Sequence, residues 1–464
     1  MNLPSELKHL ALALIAVAAL RAEAPTDAEI HSILAERIDK LEQNVGIAVG
    51  VVDANGRRFV SHGHFSVTDP RPIGDDTIFE IGSITKVFTS TILAIMVERE
   101  EVSLDDPVAR YLPAGVKVPQ RGGKQITLVD LATHTSGLPR RPADLQIESM
   151  DHNPLGNYTV PQLYAFLSGY ELTRDIGSKF EYSNLGAALL GLALAHRAGM
   201  DYEALVRAYI TEPLRMENTR IALSPEMTAR FATPHNMLRQ PVSPWEMPAF
   251  AGSGALRSDA QDLLTFLAAQ LGYGETSLSA AQAAMTKVRR PGDSPQNEQA
   301  LGWVVTTGKK HEIVWKSGAT GGFNAFMGFD PNTRVGVVVL SNMLIATGVD
   351  DIGMHLLDPS LPLAKLAPFV HRREIPLAAE IFDRYAGSYR VNSKVTFVFM
   401  REGARMFTQM NNAGPKFELL AESEKDFFLK TDDAQITFEV DGKGRGVVAI
   451  IHQGGHVSKG KRVD

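Results

Sequence analysis

Phe79-Glu80-Ile81-Gly82-Ser83-Ile84-Thr85-Lys86-Val87-Phe88-Thr89-Ser90-Thr91-Ile92-Leu93-Ala94-Ile95-Met96 is the stretch around which the chain is organised. Its first residues read as a strand. The serine then opens a helix that is apolar on nearly every side from Ile84 to Val97, and such a helix belongs in a domain centre. Helical residues three apart share a face, which sets the Ser83 hydroxyl and the Lys86 amine one turn apart. Burial disfavours an ammonium, so Lys86 is expected to offer a neutral amine near pH 7 that can take the serine proton. Ser83 also stands at a helix N-terminus, where free N–H groups and the dipole favour developing negative charge. The pattern Ser-x-x-Lys is common by chance. It recurs at Ser5/Lys8 and Ser458/Lys461, in an N-terminal leader and a polar C-terminal tail, so the remaining chain has to supply the context.

Upstream, the spacing of Ile30, Ile33, Leu34, Ile38 and Leu41 predicts a helix over 26–42, capped by Thr26 or Asp27. The period then changes to that of a hairpin, with strands at 45–52 and 57–61 about the turn Asp53-Ala54-Asn55-Gly56. Residues 104–270 are mainly helical in pattern, with helices over 128–133, 160–168, 184–198 and 258–270. Strands resume at 313–318, 323–329 and 335–340, the last two joined by Asp330-Pro331-Asn332-Thr333, and a helix over 348–357 follows. Consecutive hairpins imply an antiparallel sheet. First and last segments are expected to pair in it, with the helical portion looped out between them. The predicted class is α+β: an antiparallel sheet flanked by helices plus an inserted mainly helical domain, followed by a small all-β domain.

Within that plan residues 25–357 form the main body, the Pro-rich 358–376 a linker, and 377–464 a small sandwich or barrel. Its turns fall at Glu402-Gly403, Asn412-Ala413-Gly414 and Asp441-Gly442-Lys443-Gly444. Residues 1–24 carry Lys8, an apolar run from Leu10 to Leu20 and Arg21-Ala22-Glu23-Ala24, the pattern of a signal peptide or, uncleaved, of a membrane anchor. The expectation is therefore an exported, periplasmic protein that meets a membrane only through an uncleaved leader.

Composition sets further bounds. The 464 residues are 44% hydrophobic and 22% charged with a formal charge of -6, which leaves no nucleic-acid footprint. The absence of cysteine rules out disulfides, thiolate catalysis and cysteine metal sites. His62 and His64 have no third ligand in view and read as an exposed strand end, so neither metal nor cofactor is expected. There is no Gly-x-Ser-x-Gly elbow and no His-Glu-x-x-His. Trp245 and Phe250 read first as packing within a Pro-rich loop and second as cleft lining.

Two further stretches give Ser83 its context. Tyr182-Ser183-Asn184 opens an Ala/Leu-rich helix, where a tyrosine can relay a proton and an asparagine can hold both a lysine and a substrate amide. Trp315-Lys316-Ser317-Gly318-Ala319-Thr320-Gly321-Gly322-Phe323 is a strand with a cation and a hydroxyl beside small residues that let a ligand approach the backbone. With Leu131-Ala132-Thr133-His134-Thr135-Ser136-Gly137-Leu138-Pro139, Pro213-Leu214-Arg215-Met216-Glu217-Asn218-Thr219 and Gly254-Ala255-Leu256, these elements resemble the serine β-lactamase and penicillin-binding-protein superfamily, specifically its class C branch, over about residues 27–357.

The resemblance implies the β-lactamase/transpeptidase-like fold and an acyl-enzyme mechanism without a metal. Ser83 would be the nucleophile, Lys86 and Tyr182 the acid–base pair, and Asn184 the residue that orients the substrate amide. Lys316, Ser317 and Gly318 would hold the substrate carboxylate, and the N–H groups of Ser83 and Ala319 would form the oxyanion hole. The third motif reads Lys-Ser-Gly where the family commonly has Lys-Thr-Gly, which keeps the hydroxyl. After Leu138-Pro139, Arg140 and Arg141 stand about where class C enzymes place a substrate-touching amide. Esterases of the family often lose the lysine kept here as Lys316, which implies an anionic substrate. The expected activity is cleavage of β-lactam amides. D,D-carboxypeptidase or endopeptidase action on peptidoglycan stem peptides is the alternative, and an esterase comes third. Over 115–140 the chain also looks like periplasmic carboxypeptidase/endopeptidases of this branch, and the C-terminal unit like the β-barrel module behind many family hydrolases.

Overall fold

Eight strands, in the spatial order Gly56–Gly63, Gly46–Asp53, Val335–Ser341, Asn324–Asp330, Glu312–Ala319, Val304–Thr307, Asn297–Gln299 and Arg290–Pro291, form the main antiparallel sheet of the computed structural model. The structure describes residues 24–147, 150–308, 312–413, 416–429, 434–453 and 456–464. All of the expected leader except Ala24 lies outside the described residues. The first and last long strands pair as expected, with Ile47 opposite Ser341 and Val52 opposite Gly336. The helical portion is thus looped out between two neighbours in one sheet.

Alternation along a strand explains how this sheet carries helices on both faces. Ile47, Val49, Val51, Val337 and Val339 point to one side, where they bury Ile30 and Leu34 of the Asp27–Ala35 helix and Ile352 and Leu356 of the Asp350–Leu357 helix. Ala48, Val52, Val338 and Leu340 point to the other, against the Thr85–Glu98 and Ala260–Gln270 helices. Two covered faces leave no room for polar alternation, so the central strands read as apolar runs.

The Thr85–Glu98 helix is buried at every residue from Thr85 to Met96. Its internal hydroxyls find carbonyls: Thr91 donates to Val87 O at 2.8 Å and Thr89 to Gly252 O at 2.7 Å. On its far side lies the helical half, where the Asn184–Ala198 helix crosses the Ala251–Gly254 turn so closely that a Cβ on Gly191 would stand 2.8 Å from the Gly252 Cα. Thr26 caps the first helix with a reciprocal capping box through Glu29.

Residues 358–376 contain no helix or strand, yet they are fastened along the main body. Ala364 N–H donates to Asp351 at 2.7 Å, Gln43 to Ala367 O at 2.7 Å, and Phe369 N–H to Leu41 O at 2.7 Å. Beyond them Arg372 pairs with Glu422 at 2.7 Å, and after the Ala379–Tyr385 helix eight strands close into an antiparallel barrel. Phe399, Phe427, Phe438, Tyr385 and Tyr389 fill it. One expectation is corrected here. Ser458 and Lys461 lie on the closing strand His456–Arg462 and not in a tail; alternate residues of that strand face water, which gives it a polar composition.

Candidate active site

Ser83 lies at the junction of the two halves. Phe79–Glu80 pairs with Arg257–Ser258, and the chain then turns through a 3-10 segment, Gly82–Ile84, into the buried helix. Gly82 has φ +48, and a Cβ there would lie 2.7 Å from the Ala319 N. A Cβ on Gly318 would lie 2.0 Å from Ile81 O and 3.0 Å from Ser83 N. Glycine at both positions therefore lets the end of the Glu312–Ala319 strand press against the serine turn, which sets the main-chain N atoms of Ser83 and Ala319 at one mouth.

Lys86 is 2% exposed, and its three N–H donors all have acceptors: Ser83 Oγ at 3.0 Å, Asn184 Oδ1 at 2.9 Å and Ser253 O at 2.6 Å. Burial pulls its ammonium down to about 8, with Tyr182 opposing the shift and Lys316 adding repulsion; Lys86 thus stays mostly protonated at pH 7, which corrects the neutral amine expected from the sequence, because the Tyr182 charge offsets part of the burial. Tyr182 OH donates to Ser83 Oγ at 2.7 Å. Burial alone would raise the Tyr182 phenol, but the cations of Lys316 and Lys86 and the polar contacts with Lys86 and Ser83 bring it down to about 7. The Lys316 and Lys86 Nζ atoms lie 4.6 and 4.9 Å from the Tyr182 ring centre, and the Arg140 guanidinium 5.2 Å. Once Tyr182 is a phenolate its hydrogen bond with Ser83 reverses, and the serine proton has an acceptor 2.7 Å away.

A cleft of about 650 Å³ opens over Ser83 and is lined by Tyr182, Asn184, Arg140, Arg141, Lys316, Ser317, Gly318 and Ala319 among others. Every site residue expected from the sequence either lines this cleft or, as Lys86 does, stands directly behind it. Arg141 is exposed at the rim. Trp245 and Phe250 do both things weighed for them: they are buried, and they form cleft wall. His62 turns to Asp39 and makes a surface hydrogen bond with its carboxylate at 2.8 Å.

Three residues of the site escaped sequence reasoning. His134, at φ 58, accepts the Ser183 N–H on Nδ1 at 3.2 Å and lies 4.5 Å from the Tyr182 ring. Burial and the surrounding cations hold it well below the ordinary histidine range, so it serves as a neutral backing for Tyr182. Ser253 contributes a main-chain carbonyl, which no side-chain pattern announces; the flanking Gly252 and Gly254 were the only signal. The third is Asp350, which lines the cleft with Ser317. Arg140, read together with Arg141 at the place of a substrate-touching amide, covers the tyrosine ring.

A nucleophile between two groups that titrate near neutrality, faced by a cation-bearing strand, defines an acyl-transfer serine hydrolase built on a sheet with a helical insert. The Beta-lactamase family profile matches residues 34–352, and the chain belongs to that family. A second profile, described as a domain of unknown function, DUF3471, matches residues 371–459. The chain is 34% identical over 316 residues to the "D-alanyl-D-alanine-carboxypeptidase/endopeptidase AmpH" of Escherichia coli (strain K12), an alignment covering 64% of this chain and 78% of that protein. Among solved structures, a class C β-lactamase from Rhodobacter sphaeroides superposes with a TM-score of 0.61 at 26% identity, covering 71% of this chain and 98% of the other. A β-lactamase/D-alanine carboxypeptidase from Yersinia pestis does so with a TM-score of 0.63 at 27% identity, covering 73% and 99%.

Proposed function

We propose that Ser83 is acylated by amides that carry a carboxylate close to the scissile bond, with β-lactams the first substrate class. The observation that carries this reading is the placement of Lys316, buried beside Tyr182 on the strand whose end presses on the serine turn. It brings a fixed cation to the cleft in which the nucleophile lies. Tyr182 and Lys86 take the serine proton and return it to the leaving nitrogen, Asn184 holds the substrate amide, and the Ser83 and Ala319 N–H groups receive the oxyanion. The sequence pattern of residues 1–24 supports export to the periplasm, where such substrates are met.

D,D-carboxypeptidase or endopeptidase action on peptidoglycan peptides is the second reading. It is favoured by Arg141 at the cleft rim, where a β-lactamase would carry an amide, and by the similarity to the E. coli carboxypeptidase/endopeptidase. Both reactions share acylation and differ in how fast water frees Ser83. Intact mass of the protein against time after adding a penicillin separates them. A transient adduct with continuing product release marks a β-lactamase, a long-lived adduct marks a peptidase blocked by the drug, and no adduct refutes the carboxylate-directed reading.

Lys316→Ala is expected to weaken anionic substrates far more than neutral esters. A hydrogen bond to a charged group contributes about 1.5–3 kcal/mol, so kcat/KM for a carboxylate-bearing substrate should fall about 10- to 100-fold relative to its methyl ester. Equal losses for the two would remove the carboxylate from the argument.

A further inference from the structure

A second cavity, of about 630 Å³, shares a wall with the catalytic cleft and takes no part in the chemistry derived above. The Val160–Gly169, Asn184–Ala198 and Tyr202–Val206 helices bring Tyr164, Leu192 and Tyr202 to it, and Met200 and Met247 extend the apolar lining. That volume suits a small organic molecule. Asp201, Glu203 and Glu246 line it beside His196, and no lysine or arginine does among the described residues. The three carboxylates are held in place: Asp201 accepts the Ala204 N–H at 2.8 Å, Glu203 the Ile221 N–H at 3.0 Å, and Glu246 pairs with Arg257 at 2.9 Å.

One segment forms the partition between the two cavities. Trp245 and Phe250 line the catalytic cleft, whereas Glu246, Met247, Pro248 and Ala251 line the second cavity. The partition ends in the Ala251–Gly254 turn, which grips the buried Lys86 helix at two carbonyls. Thr89 Oγ1 donates to Gly252 O at 2.7 Å, and Lys86 Nζ donates to Ser253 O at 2.6 Å. With its own proton given to Gly252, the Thr89 hydroxyl accepts from Tyr202 of the cavity wall at 2.6 Å. The turn has no slack on the side of the Asn184–Ala198 helix, since a Cβ on Gly252 would stand 2.8 Å from the Gly191 Cα.

We propose that this cavity is a second ligand site, for a small cationic amphiphile, and that its occupancy slows acylation of Ser83 through the shared wall. The apolar tail lies against Leu192, Met200 and Met247, and the cationic head sits at the carboxylates of Asp201 and Glu203. A molecule there presses on Met247, Ala251 and Tyr202, and the turn they support carries the carbonyl that fixes the Lys86 amine. Misplacing a catalytic group by about 1 Å costs about 100-fold, so a shift of part of that distance should slow acylation about 10-fold. The binding claim stands on the cavity alone; the coupling rests on the reading above, in which Ser83 is acylated.

The test uses octyltrimethylammonium as the probe, with octanesulfonate and octanol as controls of equal tail length, each well below the concentration at which it self-associates. Equilibrium dialysis against the full chain measures binding, and intact mass against time measures acylation by a penicillin. The cation should bind saturably and more tightly than either control, and acylation at saturation should fall about 10-fold. Leu192→Trp, which fills the cavity, should bind no probe and acylate at a rate the probe does not change. Asp201→Asn combined with Glu203→Gln keeps the oxygens that accept the main-chain N–H groups and should bind the probe about 3- to 10-fold more weakly, which decides the matter where Leu192→Trp does not fold. Absence of saturable binding, or equal binding of octanesulfonate, overturns the site. Binding that leaves acylation unchanged overturns the coupling, and slowing that persists in Leu192→Trp assigns the probe to the catalytic cleft and overturns the proposal. A chain that forms no penicillin adduct even without probe refutes the acylation reading, and dialysis still decides the site.

Discussion

Ser83→Ala is expected to abolish the covalent adduct with penicillin and to lower turnover by about 10⁴-fold or more, the scale seen when a nucleophile is deleted from a unit that acts together. The residue lies between Lys86 at 3.0 Å and Tyr182 at 2.7 Å, and no other hydroxyl shares both partners among the described residues. Its side chain supports no packing: the turn is held by main-chain contacts, Ile84 N–H to Ile81 O at 3.1 Å and Ile81 N–H to Leu256 O at 3.1 Å. Its hydroxyl accepts from Lys86 and Tyr182 at the floor of an open cleft, where water can take its place, so the variant should stay folded with its thermal unfolding midpoint within a few degrees, a change of about 1 kcal/mol. The measurement is intact mass after incubation with a fluorescent penicillin, beside a melting curve. Labelling that persists on another residue of a folded variant would refute the mechanism.

How much of this was legible in the sequence depended on whether the physics was local. Ser83 and Lys86 are one turn apart, so period and motif placed them together. The central sheet was legible because its hairpins announce themselves through turn residues and apolar runs. Tyr182 and Asn184 were not local; Asn184 meets Lys86 across 98 residues, and only the family resemblance joined them. Main-chain partners stayed hidden, as with the Ser253 carbonyl, because a carbonyl has no residue type. Asp350 fell unremarked inside the helix expected over 348–357, since nothing in its neighbourhood shows that folding carries it to the cleft that Lys316 lines. The strands Asn297–Gln299 and Val304–Thr307 were missed because they are only three and four residues long, too short for a period to show. Closure of the barrel depends on Gly387–Arg390 pairing with His456–Arg462, a contact between its first and last strands that periodicity cannot supply.

Lys86→Met should cost about 10²- to 10⁴-fold in acylation, the range of a positioned acid–base group, and should also move the pH profile. At pH 7.5 in the native site, with Tyr182 at about 7 and Lys86 at about 8, the prevailing pair is phenolate and ammonium, each favouring the other's charge. The pair titrates as a unit, so acylation of a neutral ester should rise through about 7 as Tyr182 is freed of its proton and decline above about 8 as Lys86 loses its own. Removing Lys86 takes away one of the two cations that hold Tyr182 down and leaves burial opposed mainly by Lys316. The Tyr182 phenol must then rise, and the ascending limb must shift to higher pH with it. Arginine should not rescue either property, because the larger planar guanidinium does not fit a buried site that is closed by Ser253 O at 2.6 Å and shaped for a compact ammonium. Single-turnover acylation across pH checks both claims. Loss of rate with an unmoved ascending limb would assign that limb to a group other than Tyr182, and a Lys86→Met rate within about tenfold of wild type would remove Lys86 from the chemistry.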